Sequence, residues 1–156
     1  MESAFLDIVE EHQSIIHKVC GIYRDSMEDR EDLFQEIVFQ LWKAYPAYEE
    51  KSKVSTWMYR IALNTAMATF RKKQVQVDFR DQLPTNQVQM NSEASEQEEQ
   101  LYSAIRQLND VEKAIVSLFF EGYNHREIGE ITGISENYVG VRMDRIKKKL
   151  KKILSQ

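Results

Sequence analysis

Cysteine is almost missing from this chain: Cys20 stands alone among 156 residues. One cysteine excludes an intrachain disulfide, and a reducing compartment such as the cytoplasm fits. No run of apolar residues is long enough to cross a bilayer. The longest, Ala114–Phe120, is about seven residues with Ser117 inside it, against the roughly 20 a spanning helix needs. Met1-Glu2-Ser3 opens without a basic region followed by an apolar one, so no signal peptide is expected. Also missing are a glycine-rich phosphate loop, a Cys/His ligand set and a nucleophile–base pairing. His12 and His17 lie five apart, on different helix faces, and cannot share a metal as an i, i+4 pair does. Neither catalysis, a cofactor, a metal nor a small-molecule substrate is therefore expected. Strand-like alternation is confined to Val75, Val77 and Phe79, and the expected fold class is all-α.

What is present is charge in the wrong proportions for an even surface. The net charge is -4, yet residues 135–156 carry 7 Lys/Arg against 2 Asp/Glu. Residues 74–100 carry 1 against 6. A basic terminal segment on an acidic protein marks a local polyanion site. Hydrophobic content of 42% and charged content of 29% describe a globular protein.

The helical patterns fall into two groups. Residues 3–23 read as one amphipathic helix, with Phe5, Ile8, Val9, His12, Ile15, Ile16, Val19, Ile22 and Tyr23 at helical spacing. A second helix carries the stripe Leu33, Ile37, Leu41 and Ala44, with Ser26 or Asp29 as cap and Pro46 closing it. Asp32, Gln35 and Glu36 lie off that stripe as an acidic outward patch. After a polar loop, a third helix starts near Ser55 and runs to Arg71-Lys72-Lys73. Trp57, Tyr59 and Arg60 crowd its start, where aromatic rings beside a cation suit stacking on unpaired bases. The same spacing equally suits Trp57 as a core residue.

From Gln74 the pattern dissolves, and 74–95 is expected to be a flexible linker between small helical domains at 1–73 and 96–156. Its acidic end, Glu93 to Glu99, reads either as a solvated helix start with Ser95 and Glu98 as a capping box, or as an acidic tether. Short punctuated helices follow. Asn109 with Glu112 and Asn124 with Glu127 form capping boxes, Val111, Ala114, Ile115, Leu118 and Phe119 form a stripe, and Gly122 and Gly133 end helices. A short helix, the turn at Gly133-Ile134 and a helix capped by Ser135 make a helix-turn-helix. The second of its helices presents Glu136, Asn137, Tyr138, Arg142 and Arg145, then Lys147, Lys148 and Lys149. Asn and Arg are suited to bidentate base contacts, each worth ~1–3 kcal/mol of discrimination, and the lysines to phosphates.

Three blocks together resemble the extracytoplasmic-function (ECF) type of bacterial RNA polymerase sigma factor. They are Glu31-Asp32-Leu33-x-Gln35-Glu36 with Leu41-Trp42, then Thr56-Trp57-x-Tyr59-Arg60-Ile61-Ala62-x-Asn64 with Arg71-Lys72, and the block from Leu108 through Leu150. The resemblance implies core RNA polymerase and promoter DNA as partners, with an anti-sigma factor as a further one. It implies that region 2, residues 1–73, meets the polymerase clamp through Asp32, Gln35, Glu36, Leu41 and Trp42. The −10 element would then fall to Tyr48, Ser52, Lys53, Ser55, Trp57, Tyr59, Arg60, Asn64, Arg71 and Lys72. Region 4, residues 96–156, would hold the polymerase flap and read the −35 element through Ser135, Glu136, Asn137, Tyr138, Arg142, Arg145, Lys147, Lys148 and Lys149. Two positions depart from the family pattern. Gly129 replaces the usual alanine, at a cost of ~1 kcal/mol of helix stability, and Asn137-Tyr138-Val139 is bulkier than usual. The competing reading is a stand-alone helix-turn-helix regulator that binds a palindrome without polymerase, with residues 1–73 as a dimerisation or sensor domain.

Overall fold

Residues 2–50, 53–71 and 95–155 are described by the computed structural model, with side chains up to Ala68 in the second stretch. Among these residues there are eight α-helices, one 3-10 turn and no strand. The chain divides into two compact helical units, residues 1–91 and 92–156. The segment expected as a linker lies outside the described residues except for Ser95.

The first unit contains α1 (Glu2–Glu11), α2 (Gln13–Tyr23), α3 (Met27–Ala44), the 3-10 turn Tyr45–Ala47 and α4 (Val54–Arg71). Where the sequence pattern predicts one helix over 3–23, the backbone breaks at His12 (φ -113°, ψ 19°). The two halves bury their apolar residues against different partners. Phe5 of α1 meets Trp42 at 5.0 Å and Tyr45 at 5.4 Å, at the far end of α3. Ile15, Ile16, Val19, Cys20, Ile22 and Tyr23 of α2 face the bundle that α2, α3 and α4 form together. A straight helix cannot serve both directions, and the break at His12 resolves the conflict.

Ser26 caps α3, its side chain accepting from the Asp29 N–H at 3.0 Å, a contact worth ~1 kcal/mol. Helix α3 ends at Ala44, and Pro46 sits in the 3-10 turn. Its buried face is wider than the predicted stripe, adding Phe34, Val38 and Phe39. Arg24 leaves the α2 helix in extended conformation and ties the corner to α4. Its guanidinium donates to the Tyr23 carbonyl (2.8 Å) and to the Ala66 carbonyl (3.1 Å), and its own carbonyl accepts from Arg30 Nε (3.0 Å). His17 is half-buried against Phe34 (4.9 Å between ring centres), and burial lowers its pKa, favouring the neutral ring. Burial pushes the Cys20 thiol up to about 12, so it stays protonated and inert.

The second unit contains α5 (Glu96–Arg106), α6 (Asp110–Phe120), α7 (His125–Thr132) and α8 (Glu136–Leu154). Helices as short as α5, α6 and α7 are marginal alone, and all four begin on a side-chain cap. Ser95, Asn109, Asn124 and Ser135 each accept a backbone N–H three residues on, and Asn109–Glu112 and Asn124–Glu127 are complete capping boxes. Helix α8 packs on the other three, burying Val139, Met143, Ile146 and Leu150 at spacings of four, three and four. The α6 stripe is rotated from the predicted one. Val111 is exposed, while Glu112, Val116 and Ser117 are inside with Ala114, Ile115 and Leu118.

Gly133 ends α7 in the left-handed conformation (φ +82°), its N–H bonded to the Gly129 carbonyl at 2.8 Å. Gly129 is itself demanded by this turn. A Cβ there would stand 2.5 Å from the Ile134 carbonyl oxygen, which is backbone and cannot yield cheaply. The departure from alanine is thus a steric requirement of how closely the turn folds over α7. Helix propensity alone would make Gly129→Ala stabilising by ~1 kcal/mol. The clash costs about 1–3 kcal/mol and outweighs that gain, so a net loss of up to about 2 kcal/mol is expected in urea unfolding; a raised midpoint would refute the close approach.

Candidate nucleic-acid interface

Helix α3 shows its polar side through Asp32, Gln35, Glu36 and Trp42, all half-buried. Glu36 Oε1 accepts from Gln40 Nε2 at 3.1 Å, one turn on. Leu41, expected on this face, is fully buried. It lies on the core stripe three residues after Val38 and four after Ile37, so it supports the face from below and cannot touch a partner.

The α3–α4 connection is paved with aromatic rings. Tyr48 stacks on Trp57 at 4.6 Å with planes 23° apart, and Tyr45 approaches Trp57 at 6.4 Å. Together with Phe5, these rings run continuously from Trp42 to Tyr48. Trp57 is 9% exposed and Tyr59 2%. The expectation that both meet unpaired bases is therefore corrected: they are core residues, and Tyr48 covers the Trp57 ring. The accessible feature is a cleft of about 550 Å³ lined by Ile8, Tyr45, Pro46, Tyr48, Glu50, Lys53 and Val54. Glu50 on its rim holds a left-handed φ of +59°, which costs a non-glycine residue of order 1–2 kcal/mol. Lys53, Arg60 and Asn64 are exposed and Ser55 is half-buried. Arg60 and Asn64, four apart, share one outer face of α4. Arg71 ends α4, its side chain lying outside the described residues, as do Ser52 and Lys72 altogether.

In the second unit, the solvent side of α8 carries Glu136, Asn137, Tyr138, Val141, Asp144, Arg145, Lys147 and Lys148. Val141 is 52% exposed and went unnoticed in the sequence because an apolar residue in a helix reads as core. Ser135 is occupied as the cap, its Oγ accepting from Tyr138 N–H at 3.2 Å. Lys147 Nζ lies 5.1 Å from the centre of the Phe119 ring.

Two of the cations expected on the DNA side are drawn inward. Lys149 Nζ lies 2.8 Å from Glu112 Oε2, and Arg142 Nη1 lies 3.6 Å from the same oxygen. Arg142 Nε also donates to the Tyr138 hydroxyl at 2.8 Å, with its guanidinium carbon 5.1 Å from the Tyr138 ring centre. The Glu112 carboxylate has no exposure, and its other oxygen accepts from the Asn109 N–H at 3.2 Å. Sequence reasoning identified Glu112 only as a capping residue. Its partners on α8 are 30 and 37 residues away, beyond any local pattern.

Burial by itself would raise the Glu112 pKa. The Lys149 hydrogen bond, the Asn109 N–H and the charges of Lys149 and Arg142 outweigh it and hold the carboxyl below its ordinary value of 4.5. A depressed folded value means the carboxylate stabilises the second unit fully above 4.5, and that stabilisation is lost as pH falls through the folded value. The melting-temperature difference between the wild type and Glu112→Gln should be constant from pH 7 to about 5 and collapse below 4.5. A difference that persists undiminished at pH 2 would contradict the ionised pair.

Both units find counterparts among known proteins. The family profile for sigma-70 region 2 matches residues 8–75, and that for sigma-70 region 4 matches residues 98–150. The ECF RNA polymerase sigma factor SigX of Bacillus subtilis is 28% identical over 152 residues, covering 90% of this chain and 78% of the relative. SigV, an RNA polymerase sigma factor of the same organism, is 25% identical over 138 residues, covering 88% and 82%. In fold, the chain is similar to the sigma factor RpoE of Bartonella quintana, solved in complex with the anti-sigma factor NepR. That match has a TM-score of 0.68 at 19% identity, covering 96% of this chain and 97% of the other. CnrH, solved in complex with the cytosolic domain of CnrY, matches with a TM-score of 0.69 at 19% identity, covering 99% and 90%. With both sigma-70 regions matched in order over most of its length, and with whole-length relatives of the same kind, the chain belongs to the sigma-70 family as an ECF-type sigma factor.

Proposed function

We propose that this sigma factor docks on the clamp of core RNA polymerase through Asp32, Gln35, Glu36 and Trp42. The loop after α3 and the outer face of α4 then engage the −10 element, and α8 reads the −35 element. The observation that carries this reading is the separation of surfaces within the first unit. A polar row on α3 and an aromatic-walled cleft beside α4 are joined by one packed chain of rings, so docking at the first fixes the geometry of the second. Lys53, Ser55, Arg60 and Asn64 flank the cleft for the DNA backbone and bases, with Ser52, Arg71 and Lys72 continuing that edge. On α8, Asn137, Tyr138, Arg145, Lys147 and Lys148 take the −35 contacts, and Val141 offers an apolar surface suited to a thymine methyl group. Glu136 is the acceptor at the start of the helix.

The protein works through binding, and no bond is made or broken. Melting is driven by differential binding. Extruding a base from the −10 strand costs a few kcal/mol, and stacking in the Tyr48 cleft returns ~1–3 kcal/mol of it, with polymerase contacts supplying the remainder. At a net charge of -4 the isolated chain should bind duplex DNA weakly. Specificity arises when the clamp and flap fix both units at promoter spacing, an effective-concentration effect. The site of action is then the cytoplasm, where the polymerase is; among the described residues no helix is long and apolar enough to cross a membrane. An anti-sigma factor is a further proposed partner, supported by the solved complex of RpoE with NepR.

Replacing Asp32, Gln35 and Glu36 together by alanine should abolish co-elution with core polymerase on a sizing column while leaving the helical circular-dichroism signal and melting intact. Undiminished co-elution would refute the clamp assignment. Tyr48→Ala should leave core binding unchanged and reduce open-complex formation about tenfold, the equivalent of one lost stacking contact of ~1–3 kcal/mol. Permanganate footprinting of the melted strand reads this directly, and an unchanged footprint would remove Tyr48 from the −10 site.

A further inference from the structure

The basic tail of α8 is not uniformly available to DNA. Seven Lys/Arg lie between residues 135 and 156, and two of them share the Glu112 carboxylate. Arg142 and Lys149 are seven residues apart, two helical turns, and so lie on one side of α8, facing α6. Arg142 is 25% exposed, less than any other cation of the helix, while Lys149 is 51% exposed and is tied to the carboxylate only by its Nζ, 2.8 Å away. Lys147 leans over Phe119, a contact worth only ~0.5–1 kcal/mol at an exposed site, which a phosphate can replace. The Glu112 interaction is of another kind. Its carboxylate is almost fully covered, and taking a cation away leaves that charge short of a partner, which is costly.

We infer that Glu112 is a specificity-setting positioning residue, whose buried carboxylate holds Arg142 and Lys149 on the inner side of α8, away from DNA. The inference rests on the reading of α8 as the DNA-facing helix. Two consequences follow from the geometry. Sequence-independent attraction is trimmed, because each phosphate contact adds about 0.9 to the slope of log affinity against log salt, and two candidate contacts are withdrawn. The Tyr138 ring is also fixed. Arg142, held at one end by Glu112, bonds the Tyr138 hydroxyl with its Nε at 2.8 Å, so a bulky residue at the start of the reading helix has one orientation. The departure from smaller side chains at Asn137-Tyr138-Val139 is thereby accommodated by a fixed, pre-organised surface.

Glu112→Gln separates charge from capping, since glutamine at the third helical position completes a capping box as glutamate does. The wild type, Glu112→Gln and Lys148→Gln are each assembled with the same core polymerase. Affinity for a duplex lacking a promoter is then measured by fluorescence anisotropy across a salt series, so that the contribution of core cancels in the differences. Lys148→Gln should make the slope shallower by about 0.9, and Glu112→Gln should make it steeper by up to about 1.8 as both cations join the interface. Between 50 and 200 mM salt the Glu112→Gln holoenzyme would then lose about tenfold more affinity than the wild type. A role confined to stability would lower the melting temperature of Glu112→Gln and leave its slope at the wild-type value. That result, with a shallower Lys148→Gln, overturns the inference and leaves the α8 reading intact. If neither slope moves, α8 does not face DNA and both fall.

Discussion

A single carboxylate governs the geometry of the second unit. Among the described residues Glu112 is the only charged side chain with no solvent exposure, and it is compensated three times over. It closes the start of α6 through Asn109, it binds Lys149, and it draws in Arg142. The two contacts tie α8 to the start of α6 at Arg142 and Lys149, on a different side of the helix from the row Asn137, Val141, Arg145, Lys148. Apolar packing through Val139, Met143, Ile146 and Leu150 supplies the adhesion, and the carboxylate adds two polar ties across it.

The first unit solves a different problem with aromatic rings. It must join a polar face on α3 to a cleft beside α4, and Trp42, Phe5, Tyr45, Trp57 and Tyr48 span that distance in contact. Rings carry large contact areas, and these five form one packed layer between the two surfaces. The break at His12 belongs to this arrangement, because it frees α1 to place Phe5 between Trp42 and Tyr45. Arg24 closes the other end of the bundle onto the Ala66 carbonyl. The strained Glu50 and the cleft sit where this packed layer meets solvent.

Much of this was legible in the sequence, and the limits have physical causes. Caps and turns are legible because they are local: Asn109, Asn124 and Ser135 each bond within three residues, Gly133 needs only its own φ, and the choice between Ser26 and Asp29 is the one that local pattern leaves open. Helix existence followed from apolar spacing. Burial among aromatic residues did not, since Trp57 and Tyr59 beside Arg60 look alike whether they face a core or a base. Leu41 was assigned both to the core stripe and to the docking face, and only the core has room for it. The helix expected over 3–23 failed at His12 because periodicity records that apolar residues recur, not whether they recur toward one partner. Gly129 is a cost by helix propensity alone, and its reason, the Ile134 carbonyl oxygen 2.5 Å from where its Cβ would be, lies in the fold of the turn. The pairing of Glu112 with Arg142 and Lys149 was out of reach for the plainest reason, since it joins residues 30 and 37 positions apart.

Two small units on one chain, each with its own core and its own exposed surface, make sense as parts that a larger machine sets at a fixed spacing. The direct measurement is reconstitution of the purified chain with core RNA polymerase, followed by sequencing of transcripts initiated from a random promoter library. The expected result is a stoichiometric complex on a sizing column and transcripts that begin downstream of a two-part, asymmetric element, with neither part sufficient alone. A chain that fails to join core, and instead selects a palindromic duplex by itself, would contradict it.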